Sequence, residues 1–258
     1  MKRICLFLLL GCALAACSEK PAAPQVIAHR GYWKAEGAAQ NSIAALQAAG
    51  RIGAYGSEFD VNLTSDGVLV VNHDFTYHGY KIYDTPFEVL RGDTLRLANG
   101  ELIPTLDEYL EASLQYPQMK LIFELKSEGD PEYEARAVPG SVEAIKKYGV
   151  TDRVEFISFS LSACVEFAKL MPGVRVEYLG GELAPAEIKK LGLSGIDYYY
   201  EVFDKHPEWI GEAHDLGMIV NVWTVNEEAD ITRMLDLGVD QVTTNEPELA
   251  QRLIAARP

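Results

Sequence analysis

The sequence predicts a (β/α)8 barrel, and three observations carry that prediction. Short apolar or β-branched runs alternate with helical patterns along the chain, as in parallel βαβ units. One surplus run is explained by a turn too short for a crossover. Polar residues able to do chemistry then accumulate at the ends of successive runs, where barrels of this kind carry their function.

The strand candidates are 25–29, 56–61, 68–73, 120–125, 153–158, 174–179, 195–200, 218–224 and 240–244. The run 68–73 follows its predecessor after Thr64-Ser65-Asp66-Gly67. Such a turn joins antiparallel strands and cannot carry a parallel crossover of about a dozen residues, so 68–73 is the return arm of a hairpin. Eight strands remain. Each is followed by a helical segment, at 40–50, 105–116, 134–148, 160–171, 184–192, 205–217, 227–237 and 246–256. Ser42 or Asn41 can cap the first helix, Pro104-Thr105-Leu106 opens the second, and Asn226 can cap the helix that runs to Leu237 before Gly238. The stretch from Phe75 to Ile103 is expected to form a partly ordered flap over the barrel mouth.

Ahead of the barrel the chain reads as a targeting segment. Lys2 and Arg3 precede an apolar run from Ile4 to Ala16, too short to span a bilayer comfortably and suited to an export signal. Leu14-Ala15-Ala16-Cys17 resembles a bacterial lipoprotein box, in which residues 1–16 are removed and Cys17 becomes the acylated N-terminus. The alternative is an ordinary secretory signal with Cys17 incidental. Residues 17–24, rich in Pro and Ala, then serve as a lipidated tether, and 25–258 form one barrel domain. The expected location is extracytoplasmic, lipid-anchored to a bacterial membrane at its periplasmic face or the cell surface.

Removal of Lys2 and Arg3 would take the net charge from −15 to −17. A chain this acidic has no overall field to hold nucleic acid or anionic lipid. An anionic substrate must be drawn by a local device, a metal ion or a few convergent cations. Cys5 and Cys12 would leave with the signal, so Cys164 stands without an intramolecular partner and the fold rests on its core.

The first strand ends in His29-Arg30-Gly31, joining an imidazole that titrates near neutrality to a guanidinium that can grip phosphate. In Glu58-Phe59-Asp60 the period of two puts both carboxylates on one face. Two inward acids repel unless a cation lies between them. That cation is either a hard divalent ion with oxygen ligands or a neighbouring barrel Arg or Lys. The return arm ends in His73-Asp74 and folds a second imidazole back toward these acids, as a proton-transfer partner to His29. Glu124 and Lys126 share a face of the next strand and enter the same mouth. The assembly suits metal-assisted phosphoryl chemistry, with cations offsetting developing charge and histidines moving protons. Trp223 is expected at the site and the tyrosines at 198–200 are left open; His78, His206 and His214 are read as non-catalytic.

His29-Arg30-Gly31, Asn41-Ser42, Glu58-Phe59-Asp60-Val61, Thr64-Ser65-Asp66-Gly67, His73-Asp74, Glu124-Leu125-Lys126 and Trp223-Thr224-Val225-Asn226, in this order, resemble the glycerophosphodiester phosphodiesterase family over nearly the whole mature chain. The resemblance implies a TIM barrel that uses one divalent ion, Ca2+ or Mg2+, to release an alcohol and glycerol phosphate from a glycerophosphodiester. It implies Glu58, Asp60 and Glu124 as metal ligands, His29 and His73 as the acid/base pair, and Arg30 and Lys126 as phosphate-binding cations. Where the family usually has Pro-Glu-Asn this chain has Ala39-Gln40-Asn41, so an acid near the metal becomes an amide whose carbonyl oxygen could still coordinate. An Arg-Thr-Thr-like segment is replaced by Phe75-Thr76-Tyr77-His78, and a Thr-Asp-x-Pro pattern by Thr244-Asn245-Glu246-Pro247. These departures bear on substrate choice more than on reaction class. Two further readings are weighed: lysophospholipase-D-like hydrolysis of single-chain lipids, and a non-catalytic surface lipoprotein that binds a phosphorylated ligand.

Overall fold

The computed structural model describes residues 23–127 and 129–257, and the signal, Cys17 and most of the tether lie outside them. Eight parallel strands form the barrel: β1 (Gln25–Ala28), β2 (Gly56–Leu63), β3 (Lys120–Leu125), β4 (Val154–Ser158), β5 (Arg175–Tyr178), β6 (Gly195–Tyr199), β7 (Ile219–Trp223) and β8 (Gln241–Thr244). Each pairs with its sequence neighbours, and β1 closes the ring by pairing with β8 through Gln25↔Gln241 and with β2 through Ile27↔Gly56. The predicted barrel is the fold.

The expected return arm is there too. Leu69–Val71 pairs antiparallel with the far end of β2, Val61↔Val71 through Leu63↔Leu69, after the Thr64–Gly67 turn. Because β2 outruns β1, its last residues project above the rim and the arm occupies the edge that β1 leaves free. The arm's end, carrying His73, is thereby placed over the mouth.

The helices are α1 (Ile43–Arg51), α2 (Leu106–Ser113), α3 (Pro131–Tyr148), α4 (Leu161–Leu170), α5 (Pro185–Lys190), α6 (Tyr200–Lys205), α7 (Glu208–Asp215), α8 (Glu228–Leu237) and α9 (Pro247–Ala255). Ser42 caps α1 by accepting from the Ala45 N–H, and Thr105 forms a capping box with Glu108 at α2. The helix predicted over 205–217 is α7, and a further short helix, α6, precedes it and ends before His206-Pro207, where proline has no N–H to continue the ladder. Asn226 does not cap α8. Its Oδ1 instead accepts from the Asn245 N–H at 2.9 Å, tying the end of β7 to the end of β8.

Alternation along the strands sends two sets of side chains in opposite directions. Phe59, Phe123 and Phe156 point outward to the helices; Phe59 lies 4.4 Å from the Tyr109 ring and Phe156 stacks on Phe167 at 4.0 Å. Burial of each such ring contributes roughly 1.5–3 kcal/mol. Inward, Ile27, Ile122, Ile157 and Leu179 form an apolar layer across the barrel. Below it Glu155 accepts from the Tyr55 hydroxyl at 2.6 Å and from Arg175 at 2.9 Å. Above it lies the mouth.

The Phe75–Ile103 flap is more organised than expected. It contains a two-residue hairpin (Thr76–Tyr77 with Tyr80–Lys81) and a helical turn at Phe87–Leu90, and it buries Tyr77, Ile82, Leu90 and Ile103 with Val70 of the arm in a core of its own. Glu101 anchors it by accepting from the Ile43 and Ala44 N–H groups at the start of α1. Among the described residues no helix is long and apolar enough to cross a membrane.

Candidate active site

His29 follows the last residue of β1, and its backbone N–H donates to the Thr244 carbonyl, which fixes the ring above the barrel. Its Nδ1 is 2.8 Å from Asn245 Oδ1, an atom that also receives the Trp33 indole N–H at 2.9 Å. An indole N–H only donates, so the Asn245 atom is the carbonyl oxygen and His29 must carry its proton on Nδ1. Nε2 therefore keeps its lone pair, and it lies 4.0 Å from a Glu58 oxygen. Burial, reinforced by the Arg30 charge, pulls the His29 pKa down to about 4, so the ring is neutral at pH 7.

The turn after His29 is bent for a purpose visible in the geometry. Arg30 and Gly31 both have positive φ, 54° and 73°, and a Cβ on Gly31 would meet the Ala45 backbone at 2.7 Å. This bend turns the Arg30 N–H onto Glu58 Oε2 at 2.7 Å and its guanidinium toward Asp60, 3.8 Å away.

Glu58 and Asp60 point inward from β2 as the alternation predicted, and Glu124 meets them from β3; Asp60 and Glu124 are register partners. One oxygen from each of the three lies within 4.8 Å of the others, and all three side chains are buried. Glu58 Oε1 and Asp60 Oδ1 take no hydrogen bond. Lys126 Nζ donates to Glu124 at 2.7 Å and lies 3.5 Å from Asp60. One Lys cannot neutralise three buried acids. Burial and then the mutual repulsion of these acids raise Glu58 well above the carboxylate range and Glu124 to about 7. Asp60 goes the other way: burial opposes its charge, but Lys126, His73, Asn41 and Arg30 together hold its pKa below the ordinary value. Oxygen-only donors with unpartnered lone pairs suit a hard divalent cation.

Asn41, with φ of 61°, is buried and grips Asp60 twice, donating to Oδ2 at 2.8 Å and accepting its backbone N–H at 3.1 Å. Gln40 Oε1 accepts from Arg30 Nη1 at 2.6 Å, which orients the guanidinium. His73, half-buried at the end of the arm, has Nδ1 2.7 Å from Asp74 Oδ1. Burial lowers its pKa, with Asp60 and Asp74 acting in the opposite sense.

These groups share one cleft of about 150 Å3, lined on one side by His29, Arg30, Glu58, His73, Glu124 and Lys126. Trp223 lies on the other side with Phe159, its ring edge-on at 5.5 Å, and its indole N–H donates to the Asp197 carbonyl at 2.9 Å. Tyr199 packs on Trp223 at 5.4 Å, whereas Tyr198 faces outward into the core. His78, His206 and His214 are held elsewhere: on the Arg96 carbonyl, stacked on Trp209, and on Asp240. Sequence reasoning did not single out Asn245, Trp33, Phe159 or Asp197. The Thr244-Asn245-Glu246-Pro247 departure pointed at the first; alternation over 195–200 could have exposed Asp197 but was masked by the tyrosine run.

A (β/α)8 barrel whose mouth joins three carboxylates, two imidazoles, a guanidinium and an ammonium defines an enzyme of phosphoryl chemistry. Residues 29–249 match the glycerophosphoryl diester phosphodiesterase family. The chain is 32% identical over 245 residues to a glycerophosphodiester phosphodiesterase of Caldanaerobacter subterraneus subsp. tengcongensis, covering 89% of this chain and 97% of that protein. It is similar to a solved glycerophosphodiester phosphodiesterase from Parabacteroides distasonis, with 47% identity, a TM-score of 0.89, and 91% and 98% of the two chains covered. It is also similar to an Oleispira antarctica phosphodiesterase solved with the product sn-glycerol-3-phosphate, with 30% identity, a TM-score of 0.78, and 91% and 98% covered. The chain belongs to the glycerophosphoryl diester phosphodiesterase family.

Proposed function

We propose that the protein is a metal-dependent glycerophosphodiester phosphodiesterase that releases an alcohol and glycerol phosphate, held at an extracytoplasmic membrane face by acylated Cys17. The observation that carries the catalytic reading is the buried Glu58–Asp60–Glu124 triad with a neutral His29 Nε2 facing it. The product bound by the Oleispira relative, sn-glycerol-3-phosphate, is the one this reading expects.

Glu58, Asp60 and Glu124 would hold the divalent ion, Ca2+ or Mg2+. When bound, such an ion supplies positive charge that neutralises the triad and polarises a phosphoryl oxygen. Arg30, steadied by Gln40, and Lys126 grip the phosphate oxygens and offset the charge that grows on them. Whether water or the neighbouring glycerol hydroxyl attacks phosphorus, its proton passes to His29 Nε2. The bond from phosphorus to the alcohol oxygen breaks, and His73 delivers the proton that oxygen needs; on the hydroxyl route water then opens the cyclic phosphate, its proton passing to His73 while His29 returns one to the glycerol oxygen. Asp74 supports the charged form of His73 before transfer. Trp223 and Phe159 exclude water from the glycerol side.

The lysophospholipase-D-like alternative needs a long apolar groove under the flap. The flap's Tyr77, Ile82 and Leu90 are consumed in its own core, which favours small deacylated diesters. A panel of glycerophosphodiesters assayed with calcium, magnesium and manganese, with glycerol phosphate as readout, tests the reading. Undiminished turnover in excess chelator would refute the metal requirement. The anchor rests on Leu14-Ala15-Ala16-Cys17 alone. Mass spectrometry of the N-terminal peptide should find Cys17 acylated, and a soluble protein with an unmodified N-terminus overturns that part by itself.

A further inference from the structure

The cleft has two unlike halves. On the side of β1, β2, β3 and the return arm the charged groups stand together, Asp60 near Lys126 and Arg30, Glu124 on Lys126, and Glu58 on the Arg30 backbone N–H. The side built from β4 to β8 is apolar at its floor, Ile157 and Leu179, and walled by Phe159 and Trp223. One carboxylate interrupts it. Asp197 lines this half, is 1% exposed, and has an Oδ1 that receives no hydrogen bond.

No internal cation compensates Asp197. Arg175 is engaged by Glu155, and Lys126 and Arg30 by the acids across the cleft. Its main chain is committed as well, since its carbonyl accepts the Trp223 indole N–H. A buried acceptor left without a donor costs roughly 1–3 kcal/mol, more when charged. Glu177 is also unpartnered, but it is the register partner of Gly195, two residues below Asp197 on β6, and does not line the cleft. Glu58 Oε1 and Asp60 Oδ1 are unpartnered too, but they belong to the triad across the cleft; among the described residues Asp197 is the unpartnered carboxylate of the apolar half, and it lines the cleft.

We infer that Asp197 accepts a hydrogen bond from the terminal hydroxyl of the substrate's glycerol moiety and so selects glycerol over other phosphate esters. The chemistry of its surroundings decides the ligand class. Carbon-bound hydrogens of a short polyol suit Ile157, Leu179 and the aromatic walls, while its hydroxyls require an acceptor in the same small space. Thr243 and Thr224, which line the same half, add hydroxyls that can serve a second polyol oxygen. With the phosphate among Arg30, Lys126 and the triad and the departing alcohol toward His73, the apolar half is left for the glycerol. Asp197 is thus a specificity residue, not one that moves a proton. This inference rests on the phosphodiesterase reading and goes beyond it by naming what distinguishes the glycerol side.

Two p-nitrophenyl phosphodiesters test it, one of glycerol and one of propane-1,2-diol joined through its 1-oxygen, which keeps the carbon chain and the 2-hydroxyl beside phosphorus and lacks the terminal hydroxyl. Wild type should prefer the glycerol ester by roughly two to four decades in kcat/KM, as a site built for a hydroxyl does. Asp197→Ala should compress that preference to about tenfold or less through loss on the glycerol ester, with the propanediol ester changed by no more than about threefold. Asp197→Asn, which keeps one acceptor oxygen, should fall between and guards against a variant that fails to fold. Equal losses on both esters, or an unchanged ratio, would overturn the inference and leave Asp197 a structural residue. Equilibrium binding reads the same point without turnover: both variants should weaken sn-glycerol-3-phosphate and leave inorganic phosphate unaffected. If wild type cleaves neither ester the catalytic reading fails, and this binding comparison still decides the role of Asp197.

Discussion

Asn245 holds His29 by one specific atom. Its Oδ1 lies 2.8 Å from Nδ1, and the Trp33 indole, donating to the same oxygen, prevents the amide from turning over. The tautomer of His29 is therefore set by a residue at the end of β8, on the opposite side of the strand order from the acids it faces.

Asn245→Leu should cost roughly 10- to 100-fold in kcat, less than loss of the base itself, because the ring remains but its tautomer is no longer imposed. Asn245→Asp has a different signature. A carboxylate can accept from both donors, but its charge favours the imidazolium and lifts the His29 pKa from about 4 toward the ordinary value of 6.5. The acid limb of kcat/KM should then move to higher pH. A limb that stays in place would show that His29 is not the group being titrated.

His29→Ala and His73→Ala should each lose roughly two to four decades of rate, the range for general acid-base groups. The loss should appear in kcat, since neither ring is needed to hold the phosphate. His78→Ala is the control within the same segment; its ring is bonded to the Arg96 carbonyl and should be dispensable. Inactivity of that variant alongside a nearly wild-type His73→Ala would reverse the assignment.

Most of the barrel and half of the cleft were legible in the sequence, for a physical reason. Strand alternation and strand ends are local properties, so Glu58, Asp60, Glu124 and Lys126 could be assigned to one face without knowing the fold in detail. Relationships across the barrel were not legible. Asn245 acts through His29, a partner 216 positions away in the chain. Asn226 looked like a cap because an Asn before a helix usually is one, but the strand end beside it offered its side chain a better donor. Gln40 was read as a potential ligand from its place in a motif; the hydrogen bond it receives from Arg30 depends on the bend at Arg30 and was not legible. The flap's order comes from a small separate core whose members, Val70 to Ile103, show no periodicity.

The triad carries a stability prediction of its own. Glu124 has a folded-state pKa of about 7 in the ion-free protein, raised by burial and then by Asp60, against an ordinary value of 4.5. Between those values the folded state binds more protons than the unfolded one, so its stability falls as pH rises through this window. Below about 4.5 both states are protonated and the penalty is absent; above about 7 it is complete, on the order of 3 kcal/mol at about 1.4 kcal/mol per pH unit. Glu124→Gln removes the titrating group while leaving an oxygen for Lys126. In chelator, the variant and wild type should therefore melt alike near pH 4.5, and the variant should melt several degrees higher at pH 8. A divalent ion should reverse the order at pH 8, because it stabilises only the protein that binds it, in proportion to RT ln(1 + [ion]/Kd). A difference in melting temperature that ignores both pH and added ion would mean that Glu124 is neither strained in the ion-free cleft nor part of a metal site.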